Sequence, residues 1–204
     1  DHTLYMSCAS GSGGYDQIIC DPTEKKLAEG DVLIIDTGTT LDGYFCDFDR
    51  NFGFGKLTEK CKTAYEVVLE AAKQGMEIAK PGNTCADISN AMSKILNKNS
   101  SISNSVGRMG HGVGLQLTEP PSIMKSDNTI LRENMVIAIE PCLEYETGTM
   151  LPEKTRVVCD QHQCKVVEVN PNGVGQGRAY YQDNNDLLSP LTQPEFNLDP
   201  NATY

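Results

Sequence analysis

The chain has 204 residues, 39% apolar and 22% charged, enough to bury a core without a disulfide scaffold or a structural metal. Its net charge of -11, from 17 basic and 28 acidic side chains, repels phosphate backbones and argues against nucleic acid as a partner. No apolar run approaches the roughly 18 residues that span a bilayer, so no membrane partner is expected.

Residues 1–30 contain Gly11-Ser12-Gly13-Gly14 and Asp21-Pro22-Thr23, which are turn material, and are expected to be irregular. The apolar run 31–36, ending just before Gly38, predicts a buried strand. Asp42-Gly43 is a hairpin-turn signal, and the aromatic-rich stretch 44–54 predicts a second strand. Thr58 can cap a helix running through Ala64, Val67, Val68, Ala71, Met76 and Ile78, which Pro81-Gly82 stops. Thr84 opens a second helix with Asp87 as its capping-box partner and Ile88, Ala91, Met92, Ile95 and Leu96 on one face.

Residues 97–105 are polar and loop-like, and 107–114 are glycine-rich around His111. Residues 135–139 read as a strand closed by Glu140-Pro141, and 155–159 with 164–169 as a hairpin pair. Beyond Asn170 the composition predicts an extended tail over 171–204. Short strands around a helix pair indicate an α+β fold.

Eight cysteines, at 8, 20, 46, 61, 85, 142, 159 and 164, are too sparse for a disulfide scaffold. They suit reduced thiols in a cytoplasmic protein, with a Cys159–Cys164 disulfide as the other reading. His162 lies between those two, but no distal partner set completes a zinc cluster. Two sequons, Asn99-Ser100-Ser101 and Asn201-Ala202-Thr203, are common enough by chance to say little about secretion.

Four residues stand out for chemistry. Asp36 ends an apolar strand, Asp47 follows eleven residues later, His111 is flanked by glycines, and Glu140 closes another apolar strand. A carboxylate at such a position is costly to bury unless paired or bound to a cation. Singly, a capped turn explains Asp36 and a salt bridge explains Glu140. Together, hard oxygens with one imidazole suit Mn, Co, Fe or Zn, and carboxylates that bridge two ions build two-metal hydrolytic sites.

The run Asp36-Thr37-Gly38, then Tyr44, Asp47 and Arg50, with Gly110-His111-Gly112-Val113-Gly114 and Glu140-Pro141, resembles the signature of the M24 metallopeptidases, the creatinase, aminopeptidase P and prolidase class. The resemblance covers roughly residues 5–170. It implies a pita-bread fold in a domain spanning 1–170, followed by the 171–204 tail. Such a domain usually carries a further helix pair ahead of its first strands. None is visible here and residue 1 is Asp1, so a fragment of a longer precursor, or a partner supplying those N-terminal helices, is expected.

The resemblance implies metal ligands Asp36, Asp47, His111 and Glu140. The usual fifth ligand, a Glu, falls at Lys154, with Glu153 the ligand if the register shifts by one. An ammonium at that place would substitute for one cation's charge and disfavour the second ion. A second His usual in the class is Thr118 here, followed by Glu119, and a third falls at Ile19 or Cys20.

The implied activity is an Xaa-Pro peptidase-like hydrolase, cleaving a peptide or small amide with a dinuclear metal-activated water. Glu140 would be its general base and Glu119 a spare catalytic acid. Tyr44, Arg50 and Thr118 are candidate substrate contacts, although Tyr44 can equally pack the sheet and Arg50 can pair with Asp49. The alternative is an altered relative, metal-free or single-metal, used for lyase chemistry, small-molecule binding or protein interaction. Many members of the class are homodimers, which is the implied assembly.

Overall fold

A computed structural model describes residues 3–15, 17, 20–99, 107–146, 149–152, 155–159 and 164–166. In chain order the elements are β1 (Thr3–Ser12), β2 (Asp31–Leu41), β3 (Tyr44–Phe45), β4 (Phe48–Gly53), α1 (Glu59–Ile78), α2 (Cys85–Asn99), β5 (Gly110–Gly112), β6 (Glu119–Ser122), β7 (Val136–Ile139), β8 (Cys142–Glu146), β9 (Thr149–Pro152), β10 (Thr155–Cys159) and β11 (Cys164–Val166). No helix among the described residues is long and apolar enough to cross a membrane. The 171–204 tail, His162 and the second sequon lie outside the described residues, as do the side chains of Cys159 and Cys164.

The first sheet is built on β2, which pairs antiparallel with β1, β3 and β4. Its alternate residues Val32 and Ile34 are fully buried, which fixes the face that Asp36 and Gly38 share. The turn after it uses Asp42 and Gly43, both at positive φ (51° and 83°), as a tight hairpin requires. The strand expected over 44–54 is interrupted, with Cys46 and Asp47 between β3 and β4. Residues 1–30 are not wholly irregular: Thr3–Ser12 form β1, at the sheet edge. Its sequence, with three serines among ten residues and an Ala-Ser-Gly-Ser end, carries no clear strand signal, and pairing with β2 supplies the order instead.

Both helices begin as their caps dictate. The Thr58 hydroxyl accepts from Cys61 N at 3.2 Å. Thr84 and Asp87 form a reciprocal capping box, with Thr84 N to Asp87 Oδ2 at 2.8 Å and Asp87 N to Thr84 Oγ1 at 3.1 Å. The helices pack at Gly75, where an added Cβ would come 2.8 Å from Met92 Sδ. Val68, Ile88, Met92 and Leu96 then form one core with Val32, Ile34, Ile137 and Ile139. Each such side chain contributes about 1.5–3 kcal/mol on burial, so the helix pair is the floor against which both sheets are seated.

The second sheet runs in the order β11-β10-β7-β5-β6, with every pairing antiparallel. The expected hairpin at its far edge is present, with Cys159 opposite Cys164. β6 has the sequence Glu-Pro-Pro-Ser, which no strand pattern predicts; it is tolerated because it lies at the other edge, where proline's missing donor breaks no inner ladder. β8 and β9 form a separate ribbon.

Candidate metal centre

Each candidate ligand is placed by a backbone requirement. His111 is the middle residue of the three-residue strand β5, between β6 and β7. A Cβ on Gly110 would strike the Ala138 carbonyl, and one on Gly112 the Pro120 carbonyl, so the flanking glycines let the strand fit and leave the imidazole as its only large side chain. Glu140 follows β7 directly, and its backbone N donates to Met109 O at 3.0 Å, bringing it alongside the start of β5. Asp47 sits in the β3–β4 interruption of the first sheet. Phe45 N donates to Gly114 O at 2.8 Å, tying that segment to the loop after His111.

The result is a compact group. His111 Nε2 lies 3.1 Å from Asp47 Oδ2 and 3.4 Å from Glu140 Oε1. One ligand atom from each of the three residues lies within 4.8 Å of the others. His111 and Asp47 are each 2% exposed, and Glu140 is partly open. Arg108 Nε approaches Glu140 Oε1 at 3.9 Å from the solvent side.

The imidazole's other nitrogen decides what the group can hold. Nδ1 lies 2.9 Å from Gly112 O. A carbonyl only accepts, so Nδ1 carries the hydrogen and a neutral ring presents the Nε2 lone pair to two carboxylates. That arrangement needs a positive charge among the three, either a proton on the ring or a cation between them. Burial disfavours the charged ring, but the Asp47 hydrogen bond, the Glu140 charge and the Gly112 carbonyl outweigh it and raise the His111 pKa. An imidazole nitrogen with two carboxylates is a suitable donor set for a divalent ion.

Asp36 is buried but stands outside that trio. It is joined to it by Tyr5, whose hydroxyl lies 2.7 Å from Asp47 Oδ1 and 3.1 Å from Asp36 Oδ1. Sequence reasoning missed Tyr5 because its segment was expected to be irregular. The signal is the register that sets Tyr5 opposite Gly38 and Ser7 opposite Asp36, which only the paired strands reveal.

The remaining candidates lie as follows. Arg50 Nη1 donates to the Asp49 carbonyl at 2.5 Å, an interaction with its chain neighbour. Tyr44 is 60% exposed and Thr118 is exposed. The Glu119 carboxylate accepts from Gln116 N at 3.1 Å and packs over Gly114, closing its own turn. Cys20, one of the two candidates for the class's third His position, donates its thiol to the Cys8 carbonyl at 3.0 Å. Glu153, Lys154 and Ile19 lie outside the described residues, so the choice of fifth ligand does too.

Known proteins share both the pattern and the shape. The chain is 38% identical over 119 residues to an Xaa-Pro dipeptidase of Pyrococcus furiosus, a stretch that is 58% of this chain and 34% of that protein. The solved prolidase from Pyrococcus furiosus superposes with a TM-score of 0.74 at 30% identity, over 80% of this chain and 49% of the other. Dipeptidase PepE from Mycobacterium ulcerans superposes at 0.76 with 25% identity, over 84% and 46%. The chain therefore spans about a third of the length of the curated relative and under half of the solved chains. The α+β arrangement is the pita-bread fold of these proteins. With the sequence profile of Metallopeptidase family M24 matching residues 3–175, and Asp47, His111 and Glu140 gathered within that span, the chain belongs to the M24 metallopeptidases.

Proposed function

We propose that this chain carries the metal centre of an Xaa-Pro peptidase-type hydrolase acting on a peptide or related small amide. One observation carries the reading: His111 Nε2 is aimed between Asp47 and Glu140 while Nδ1 is tethered to the Gly112 carbonyl. A divalent ion of the Mn, Co, Fe or Zn kind bound there would polarise the scissile carbonyl and acidify water. The kinship with an Xaa-Pro dipeptidase and a prolidase supports the substrate class.

The chain's own residues divide the work by burial. Asp47 and His111, almost wholly enclosed, bind and orient. Glu140 is the most open of the three, and with Oε1 turned to His111 its second oxygen is the proton acceptor for an attacking water. Arg108 stands beside it, with Nε 3.9 Å from Oε1. The thiol-rich composition suits a cytoplasmic setting, and a homodimer or the rest of a longer polypeptide completes the substrate pocket.

The test is to load the protein with Mn²⁺ or Co²⁺, desalt it, measure bound ion, and assay amine release from Xaa-Pro dipeptides. Bound ion and hydrolysis, both lost in Asp47→Ala, are expected. No ion retained under any loading condition, or an ion retained by Asp47→Ala, overturns the reading.

A further inference from the structure

The two oxygens of Asp47 face different neighbours. Oδ2 points to His111 Nε2 in the group shared with Glu140, whereas Oδ1 points to the Tyr5 hydroxyl. The same hydroxyl also lies 3.1 Å from Asp36 Oδ1. The space between the two aspartates, where a second ion would bind Asp36 and the far oxygen of Asp47, is therefore filled by a neutral O–H donor.

We propose that Tyr5 takes the place of the second ion, so that this centre holds a single divalent cation at Asp47, His111 and Glu140. The inference rests on the metallopeptidase reading and narrows it. A phenolic hydrogen shared between two carboxylates relieves their mutual repulsion, which is the service an ion would otherwise perform.

A further feature agrees. Ser7, paired in register with Asp36, places a second neutral hydroxyl on the Asp36 side, and its Oγ is buried with no hydrogen-bond partner among the described residues. Gly38 makes the arrangement possible, since its missing side chain leaves room for the Tyr5 ring.

The experiment is ion stoichiometry on the whole chain, with Mn²⁺ as the probe, by calorimetry and by elemental analysis after desalting. Electron paramagnetic resonance then reports whether the ions are coupled in pairs. One uncoupled Mn²⁺ per chain is expected for the wild type. Tyr5→Phe, which removes the hydroxyl and keeps the ring, is expected to hold the first ion within about threefold of wild-type affinity and to gain a second at high Mn²⁺. Circular dichroism checks that the variant folds. Should Tyr5→Phe misfold, Asp36→Asn takes its place, with first-ion affinity expected within the same threefold because Asp36 is not a ligand of that ion.

Two ions in the wild type overturn the inference and leave the metallopeptidase reading standing. A wild type at one ion with Tyr5→Phe also at one overturns the role of Tyr5. Loss of the single ion in Asp36→Asn overturns the assignment of its ligands. No ion in any form overturns the reading beneath it.

Discussion

Gly38 faces Tyr5 across the β1–β2 pair so closely that a β-carbon on Gly38 would lie 2.5 Å from the phenol ring and 2.7 Å from the Cys46 carbonyl oxygen. The sheet position is thus reserved for hydrogen alone. Gly38→Ala is expected to destabilise the fold by about 1–3 kcal/mol through overpacking against ring and backbone. Urea denaturation measures it; a loss under 0.5 kcal/mol would mean that Tyr5 turns aside freely.

The His111–Asp47 pair gives the metal-free protein a pH dependence. The folded pKa of His111 is raised above its ordinary 6.5. The stability it contributes is therefore fully present below about 6.5 and is lost as pH rises through the higher folded value. Melting of the metal-free protein is expected to weaken across that window, and His111→Asn to flatten the trend. Melting curves for both proteins at a series of pH values check this; equal slopes would remove His111 as the cause. Because the ring must lose its proton to bind a cation, metal affinity should rise over the same range.

The helix starts offer a local test. Thr58→Ala removes the acceptor for Cys61 N and is expected to cost about 1 kcal/mol. At α2, the backbone hydrogen bond from Thr84 holds the Asp87 carboxyl below its usual value of 3.8. Its contribution is present above that value and fades as pH falls through the lower folded one. Protection of the first-turn amides of α2, taken relative to their intrinsic exchange rate at each pH, should therefore fall in acid, and Asp87→Asn should already show the lower protection at neutral pH.

Cysteine labelling probes the packing. Cys8 is exposed and Cys20 part-buried, whereas Cys61 and Cys85 are fully enclosed. Burial raises the Cys8 thiol pKa and pushes that of Cys85 up to about 11. Alkylation of the native protein should mark Cys8 and Cys20 slowly, and Cys61 and Cys85 only after unfolding. Native labelling of Cys85, read by peptide mass, would contradict the described core.

The elements legible in the sequence are those whose signal is local. The caps at Thr58 and Thr84, the turn at Asp42-Gly43 and the apolar run of β2 each carry their own chemistry within a few residues. β1 and β6 were not legible. One is Ser-rich, the other half proline, and each is a strand only because a neighbour offers a ladder. The same division holds at the site. Asp47, His111 and Glu140 stood out by context, but the hydroxyl between the aspartates comes from a strand with no strand-like sequence, so Tyr5 could not be found until the register was known.

The trio at the centre also joins parts of the chain that the fold keeps in separate sheets. Asp47 leaves the first sheet at the gap between β3 and β4, while His111 and Glu140 stand on the second. A cation held by all three is a clasp across that seam, reinforcing the Phe45–Gly114 backbone bond beside it. Ligand exchange and mechanical coherence are then one event, and a chelator that strips the ion also loosens the halves from each other.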